Sequence, residues 1–359
     1  MFCMRVLYLF TGYRSALVEK VNRGEEPGDG TWGMTRLPHF GIEAEHAELE
    51  HWFPDPVAKW LRLRAFGVYG AHIPFFFKFF SYDIIFTAGA FYSQLLFTIA
   101  KVLFRFKRPL WVMHDFSITG FLGGGTTIKQ KLFRFITSHA DGIVTVGKEE
   151  AERLKKRFPH LSERIVYIPF GVDIEFFKPQ KDITKERRIL SVGVDPDRDW
   201  GTLFKACEGL NVQIIAATRP RGNKRVTPPT FAKMQLFSLK ELINHYARAS
   251  IVVIPLDTTA GINDAMGCTA LFEAMAMGKA IIATSTHTMR SYITHGENGL
   301  LVPEGDVQAM RRALEELLRD DEKRKKLGEA ARIYAEENLD AEKLAGQLAD
   351  YFKRLLKYK

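Results

Sequence analysis

The sequence predicts an α/β protein of two doubly wound domains, each a parallel sheet with helices on both faces. Three observations lead there. Short apolar runs recur along the whole chain. Most are apolar at consecutive positions, the pattern of strands buried on both faces, and helical spacing fills the gaps between them. At 359 residues the chain is long for one core and suits two. Strands are readable at 5–10, 83–88, 110–114, 142–146 and 165–168, then at 189–193, 212–217, 251–255, 280–284 and 299–302. Helical patterns such as 148–158 and 307–318 lie between them. Two sets of about five strands imply a Rossmann-like domain over 1–172 and another over 173–340, followed by an amphipathic helix at 341–359.

The elements follow in order. Residues 1–13 hold an apolar run, but Arg5 interrupts it and no small-residue cleavage site follows, so a buried strand is expected rather than a signal peptide. The Gly-rich segment 22–34 ends in Gly30, Thr31, Trp32 and Gly33 and reads as a binding loop or a mobile surface loop. Residues 84–100 carry no charge and border on a membrane span, yet Gly89, Ser93, Gln94 and Thr98 divide them into a strand and a helix. His114 ends a strand, and doubly wound sheets bind ligands at the carboxyl ends of their strands. Gly123, Gly124 and Gly125 suggest a flexible loop.

The second half carries the chemistry. A strand at 251–255 leads to Gly267, Cys268 and Thr269, then to a short helix containing Glu273 and ended by Gly278. Such a helix N-terminus presents free N–H groups and partial positive charge to phosphate. Glu273, about one turn in, is placed to accept hydrogen bonds from a ribose diol. Gly193, after the strand at 189–193, permits close approach of a phosphate. His245, on a helix with Glu241, reads as structural.

Cys3, Cys207 and Cys268 are odd in number and scattered, which argues for a reducing compartment and against a disulfide framework. The formal net charge is +9, and between Lys101 and Lys148 eight Lys/Arg face only Asp115 and Asp141. Such a surface attracts nucleic acid, anionic lipid or phosphorylated substrate. No nucleic-acid-binding signature accompanies it. The aromatic runs at 75–80, 103–111 and 131–135 suit a membrane-surface contact, the alternative being a solvated face over core aromatics. A nicotinamide-dependent dehydrogenase is disfavoured, because Gly12 stands alone where Gly-x-Gly-x-x-Gly would lie.

The stretch from Gly267 to Lys279, with Glu-Asn-Gly-Leu-Leu-Val at 297–302, resembles the donor-binding core of retaining glycosyltransferases of family 4 (glycosyl transferases group 1). The resemblance covers most of residues 140–335 and is weak before them. It implies the GT-B fold, two Rossmann-like domains facing across a cleft, with the acceptor on the first, the nucleotide sugar on the second, and the last helix returning to the first. It implies transfer from a nucleotide-diphosphate sugar to a hydroxyl with retention, the departing diphosphate taking the acceptor's proton. Neither a protein nucleophile nor a cofactor or metal is then expected; the protein stabilises charge on the diphosphate.

Position by position, the resemblance gives Glu273 the donor ribose. It places His114 near the sugar's reactive carbon, and Gly267, Cys268 and Thr269 at the diphosphate and sugar through backbone. Gly30, Thr31, Trp32 and Gly33 fall on the acceptor side. The sequence departs from the pattern at the family's first glutamate, which becomes Ala265, with Asp264 adjacent. The two diphosphate-binding cations fall on Val194 and Trp200, leaving Arg198 as the nearest substitute and Arg219, Arg221, Lys224 and Arg225 beyond it. Phe170 replaces an Asn in the interdomain motif at 169–179. Asp195 and Asp197 spell the Asp-x-Asp of metal-dependent glycosyltransferases of another fold, but Asp-Pro is turn chemistry. These departures leave two alternatives: a catalytically impaired binding or scaffolding subunit, or a sugar-nucleotide epimerase of the same fold. The expected location is cytoplasmic and peripheral on the inner face of the cell membrane, with a lipid-linked or membrane-borne acceptor.

Overall fold

Strands whose side chains are apolar on both faces need helices above and below, and the chain meets that need with two six-stranded parallel sheets. The computed structural model describes residues 4–357 except 66, 68, 88, 116–117, 124–126, 181–185, 195–196, 219–225 and 260–264. By its internal contacts the chain divides into two compact units, Met1–Phe170 with Ala341–Lys359, and Gly171–Asp340. The division falls two residues before the boundary the sequence suggests.

The sheet of the first unit contains β1 (Met4–Leu9), β2 (Ile42–His46), β3 (Ile84–Thr87), β4 (Leu110–Asp115), β5 (Gly142–Thr145) and β6 (Ile165–Tyr167), in the order β2-β1-β3-β4-β5-β6. The second contains β7 (Glu186–Val192), β8 (Gln213–Ala217), β9 (Ala232–Gln235), β10 (Ala249–Ile254), β11 (Ala280–Thr284) and β12 (Leu300–Val302), in the order β12-β11-β10-β7-β8-β9. Chain order reverses between β1 and β3, and again between β7 and β10. These are the switch points at which a doubly wound sheet opens a crevice.

The sequence shows ten of the twelve strands. The two it hides, β2 and β9, lie at sheet edges. β2 reads Ile-Glu-Ala-Glu-His with Glu43 and Glu45 turned outward, and β9 is Ala-Lys-Met-Gln. An edge strand that meets solvent on one side has no reason to be continuously apolar, so neither produces the run that marks the others.

The helix Ala341–Lys357 supplies one wall of the first unit's core. Leu344, Leu348, Ala349 and Phe352 pack with Val6, Tyr8, Phe86 and Val112. Tyr351 crosses Gly142 so closely that a Cβ there would meet its hydroxyl at 2.2 Å. In the second unit, the opening segment is tied down by Arg332, whose guanidinium donates to the carbonyls of Ile174, Phe177 and Ala276 at 3.0, 2.9 and 2.6 Å. Among the described residues no helix is long and apolar enough to cross a membrane.

Candidate functional site

The second unit opens a cavity of about 320 Å³ at the β7–β10 switch point, large enough for part of a nucleotide-sized ligand. Gly193 and Val194 follow β7 along one wall, Ala265, Gly267, Thr269 and Glu273 form another, and Leu236, Phe237 and Leu242 close the apolar end.

Arg198 reaches the cavity from beneath Gly193. It is only 3% exposed, and its backbone bridges Leu256 just past β10. Gly193 sits at φ 153°, and a Cβ there would lie 2.3 Å from Nε and Nη2 of Arg198. Glycine at 193 is therefore what leaves room for the guanidinium. Of the flanking aspartates, Asp197 lies in a turn and Asp199 is a helix cap. The Asp197 carbonyl accepts from the Asp257 amide at 2.9 Å, and the Asp199 carboxylate caps the next helix at the Thr202 amide, also 2.9 Å.

Glu273 faces the cavity from the helix Cys268–Ala276 and receives a hydrogen bond from the Tyr246 hydroxyl at 2.7 Å. By exposed area the side chain is half-buried, because one side meets the cavity. The surrounding protein nevertheless pushes its carboxyl up to about 7, burial outweighing the opposing effects of the Tyr246 hydrogen bond and the Arg198 charge. Gly267 starts this helix at φ 80°, with Ile254 and Met289 each 3.0 Å from where a Cβ would stand. The Cys268 amide donates to the Ala265 carbonyl at 3.1 Å and its side chain is fully buried, so Thr269 and Ala270 are the residues of this turn that line the cavity beside Gly267.

The two residues aligned with the family's cations part company. Val194 stands exposed at the cavity wall, whereas Trp200 is 6% exposed in the hydrophobic core and stacks on Phe204. A position whose side chain points into the core holds no phosphate. Lys279 is likewise structural, donating to the carbonyls of Ala247 and Ala249 at 2.8 and 3.2 Å. Arg219, Arg221, Lys224, Arg225, Asp195 and Asp264 lie outside the described residues, as do Gly124 and Gly125. His245 packs on Phe237 and contacts Arg188 at 3.2 Å without lining this cavity.

Tyr246, which donates to Glu273, is the candidate residue that sequence reading missed. Leu242 and Tyr246 are four apart on the helix Leu239–Arg248 and so share a face. That spacing was the available signal, but nothing local showed which face met the cavity.

In the first unit, His114 near the end of β4 meets Trp32 edge-on at 5.2 Å and stacks on Phe86 at 5.2 Å. Trp32, Gly33, His114 and Phe170 line a small cavity of about 10 Å³, room for one water. Burial drives the His114 imidazole down to about 3, so the ring is neutral at any working pH. The loop before it is packed rather than loose. Thr31 is fully buried, its hydroxyl donating to the Gly28 carbonyl at 2.6 Å, and Gly30 abuts Leu17. Of the four loop candidates, only Trp32 and Gly33 line that small cavity with His114.

A second polar cluster joins His46, Glu48 and His51, whose ligand atoms lie within 4.8 Å of one another. The Ser15 hydroxyl sits among them, 3.0 Å from each imidazole and donating to Glu48 at 2.7 Å. The hydroxyl thus pairs with both rings and with the carboxylate.

Residues 233–334 match the family described as Glycosyl transferases group 1, and residues 38–176 match Glycosyltransferase Family 4. A D-inositol 3-phosphate glycosyltransferase of Corynebacterium glutamicum is 28% identical over 229 residues, 55% of this chain and 53% of the relative. The protein of the same name from Corynebacterium aurimucosum is 35% identical over 235 residues, 56% and 54% of the two chains. The chain thus spans about half the length of these curated relatives. An uncharacterized glycosyltransferase of Methanocaldococcus jannaschii is 23% identical over 304 residues, 77% and 76%. Among solved structures, Anabaena HepE in complex with UDP and glucose superposes with a TM-score of 0.71 at 15% identity, covering 98% of this chain and all of that one. Sucrose-phosphate synthase from Thermosynechococcus elongatus gives 0.73 at 16%, covering 99% and 100%. At such identities the structures establish the fold alone. The chain has the GT-B fold, and its segments 38–176 and 233–334 match the models of Glycosyltransferase Family 4 and of Glycosyl transferases group 1.

Proposed function

We propose that the protein transfers a sugar from a nucleoside-diphosphate sugar to an acceptor hydroxyl, with retention of anomeric configuration. The observation that carries this reading is the cavity at the β7–β10 switch, where a carboxylate, a guanidinium and a helix N-terminus line or border one space. Glu273 accepts from the ribose diol. Arg198 and the turn at Gly267–Thr269 face the diphosphate. Leu236 and Phe237 provide an apolar surface for the base. The fold neighbour HepE, solved with UDP-glucose, supports a donor of this class.

In the reaction, the acceptor oxygen forms a bond to the anomeric carbon on the face from which the diphosphate oxygen leaves. That departing oxygen takes the acceptor's proton. Arg198 and backbone N–H groups stabilise the charge that develops on the diphosphate. The first unit holds the acceptor, with Trp32 and Gly33 beside His114. Ala265 offers the donor sugar no carboxylate, so sugar hydroxyls are read elsewhere.

The exposed apolar and basic surface of the first unit favours an acceptor carried on a membrane, with the protein peripheral on the cytoplasmic side. Loss of both family cations at Val194 and Trp200 is the observation that favours a catalytically impaired subunit instead.

The test is to incubate the protein with UDP-, GDP- and ADP-sugars, with and without membrane lipid extract, following nucleotide release and the anomeric proton by NMR. Acceptor-dependent release of one nucleoside diphosphate, with an α-donor giving an α-product, is expected. Release without any acceptor would indicate an epimerase, and no turnover by folded protein would leave the impaired subunit. Chelator should change the rate by less than about twofold, because no step needs an ion to stabilise the diphosphate. Complete loss of activity in EDTA, restored by magnesium, would return a metal to the mechanism.

His114 gives a further expectation. His114→Ala should lower kcat by about 10- to 100-fold through loss of a positioned polar group. Because the ring is neutral throughout, the variant should keep the pH profile of the parent enzyme. Disappearance of a titration near pH 6 to 7 in this variant would contradict a neutral His114.

A further inference from the structure

The helix Phe91–Phe104 in the first unit is folded with its polarity reversed. Its buried residues include Ser93, Gln94 and Thr98, while Tyr92, Leu96, Ile99 and Leu103 are exposed. The exposed four are spaced four, three and four apart, which is one stripe along the helix. A helix in contact with water along that stripe would have the opposite arrangement.

The stripe is continuous with neighbouring apolar groups. Phe91 stacks on Phe133 of the helix Ile128–Ser138 at 6.0 Å, and Phe133 contacts Phe121 at 5.5 Å. Beneath the helix, buried Phe97 and exposed Phe80 both pack on Phe106, and Phe76 links Phe80 to exposed Phe77. The tips of this surface are very exposed: Phe77 by 85%, Ile128 by 78% and Phe104 by 77%. Exposed apolar side chains gathered in this number on one unit mark a contact site.

Charge identifies what covers it. Residues 57–140 contain eleven Lys/Arg and two acidic residues, an excess equal to the net charge of +9 of the whole chain. The remainder of the protein is balanced. Asp83 pairs with Arg108 at 2.9 Å and buried Asp141 pairs with Lys101, so the field near the stripe comes from other exposed cations. Lys129 and Lys131 follow Ile128, and Arg105 and Lys107 follow Phe104, all exposed. Protruding aromatic and aliphatic tips among Lys and Arg match a bilayer, whose anionic headgroups lie above its acyl chains.

We propose that this face of the first unit docks on an anionic lipid bilayer, with the helix Phe91–Phe104 lying in the interface rather than crossing it. The apolar tips enter the boundary between headgroups and acyl chains, and the lysines and arginines remain at the phosphates. The proposal deepens the reading of a membrane-borne acceptor and rests on it only for its purpose, since vesicle binding is scored without sugar transfer.

The test is flotation of the full chain with vesicles of phosphatidylcholine alone or mixed equally with phosphatidylglycerol. The protein should float with the mixed vesicles and be released by high salt. Leu103→Glu with Phe104→Glu should lower the partition coefficient at least about tenfold, with the circular dichroism and melting temperature retained. Lys129→Glu with Lys131→Glu should lower it by at least as much on mixed vesicles, each charge contributing about fivefold. The same charge change at Lys325 and Lys326 on the second unit should have no effect.

Equal flotation of the parent and the Leu103/Phe104 variant would overturn the proposal. So would failure of the parent to float with anionic vesicles, including the case where light scattering shows a dimer that this variant dissociates, since the cover would then be a second copy. If the parent floats but transfers sugar only to soluble acceptors, the docking face stands and the membrane-borne acceptor falls.

Discussion

Glu273→Gln should remove measurable donor binding and, at the same time, make the folded protein more stable at alkaline pH. The carboxyl of Glu273 is held up to about 7 by burial against Tyr246. An unfolded glutamate titrates near 4.3. Between those two values the native protein holds a proton that the unfolded chain has released. The stability contribution is therefore fully present below about pH 4.3 and is lost as pH rises through 7. Above pH 7 the native state carries a buried anion at a cost on the order of 3 kcal/mol. Glutamine keeps the acceptor oxygen for Tyr246 and removes the charge, so melting curves at pH 8.5 should shift up by several degrees while those at pH 4 move little. A lower melting temperature at pH 8.5 would contradict the assignment. The ribose, in contrast, needs the carboxylate. Donor affinity of the parent enzyme should rise with pH through about 7, and the glutamine variant should bind at least about 100-fold more weakly.

Arg198→Ala should lower kcat/KM by about 100- to 1,000-fold, the scale expected when a preorganised donor to a developing oxyanion is removed. The effect should be larger for diphosphates than for nucleosides; equal effects on both would make Arg198 structural. Two further consequences follow from its surroundings. Arg198 opposes the upward shift of Glu273, so without it the pH dependence of nucleotide binding should move further above 7. Gly193 is a glycine because the guanidinium occupies the space of its missing Cβ, at 2.3 Å. Gly193→Ala should thus displace Arg198 and reproduce much of its loss in the parent background, yet have little further effect in Arg198→Ala. Additive losses in that double-mutant cycle would show that the two residues act independently.

Much of this architecture is legible in the residues because parallel strands buried on both faces leave an unmistakable apolar run. β10 and β11, Ala-Ser-Ile-Val-Val-Ile and Ala-Ile-Ile-Ala-Thr, are such runs. β2 and β9 are not, since an edge tolerates Glu43, Glu45 and Lys233. At the candidate site, Glu273, Gly267 and Gly193 could be found because helix starts and close backbone approaches leave local signatures. Trp200 could not be sorted from a cation position by alignment alone; its fate depends on which way one helix faces. Tyr246 and Glu273 are far apart in the chain and joined only by folding. The exposed stripe of Phe91–Phe104 was hidden for a similar reason. Composition shows an uncharged helix, but only the fold shows that its polar residues point inward.

The measurement that bears most directly on the account is calorimetric titration of UDP, GDP and ADP into the parent protein and Glu273→Gln, in EDTA, at pH 6 and pH 8. One nucleoside diphosphate should bind the parent, more tightly at pH 8 than at pH 6, and bind the variant at least about 100-fold more weakly at pH 8. Binding unchanged by the substitution, or no binding of any of the three to folded parent protein, would contradict the placement of a nucleotide-sugar site at Glu273 and Arg198.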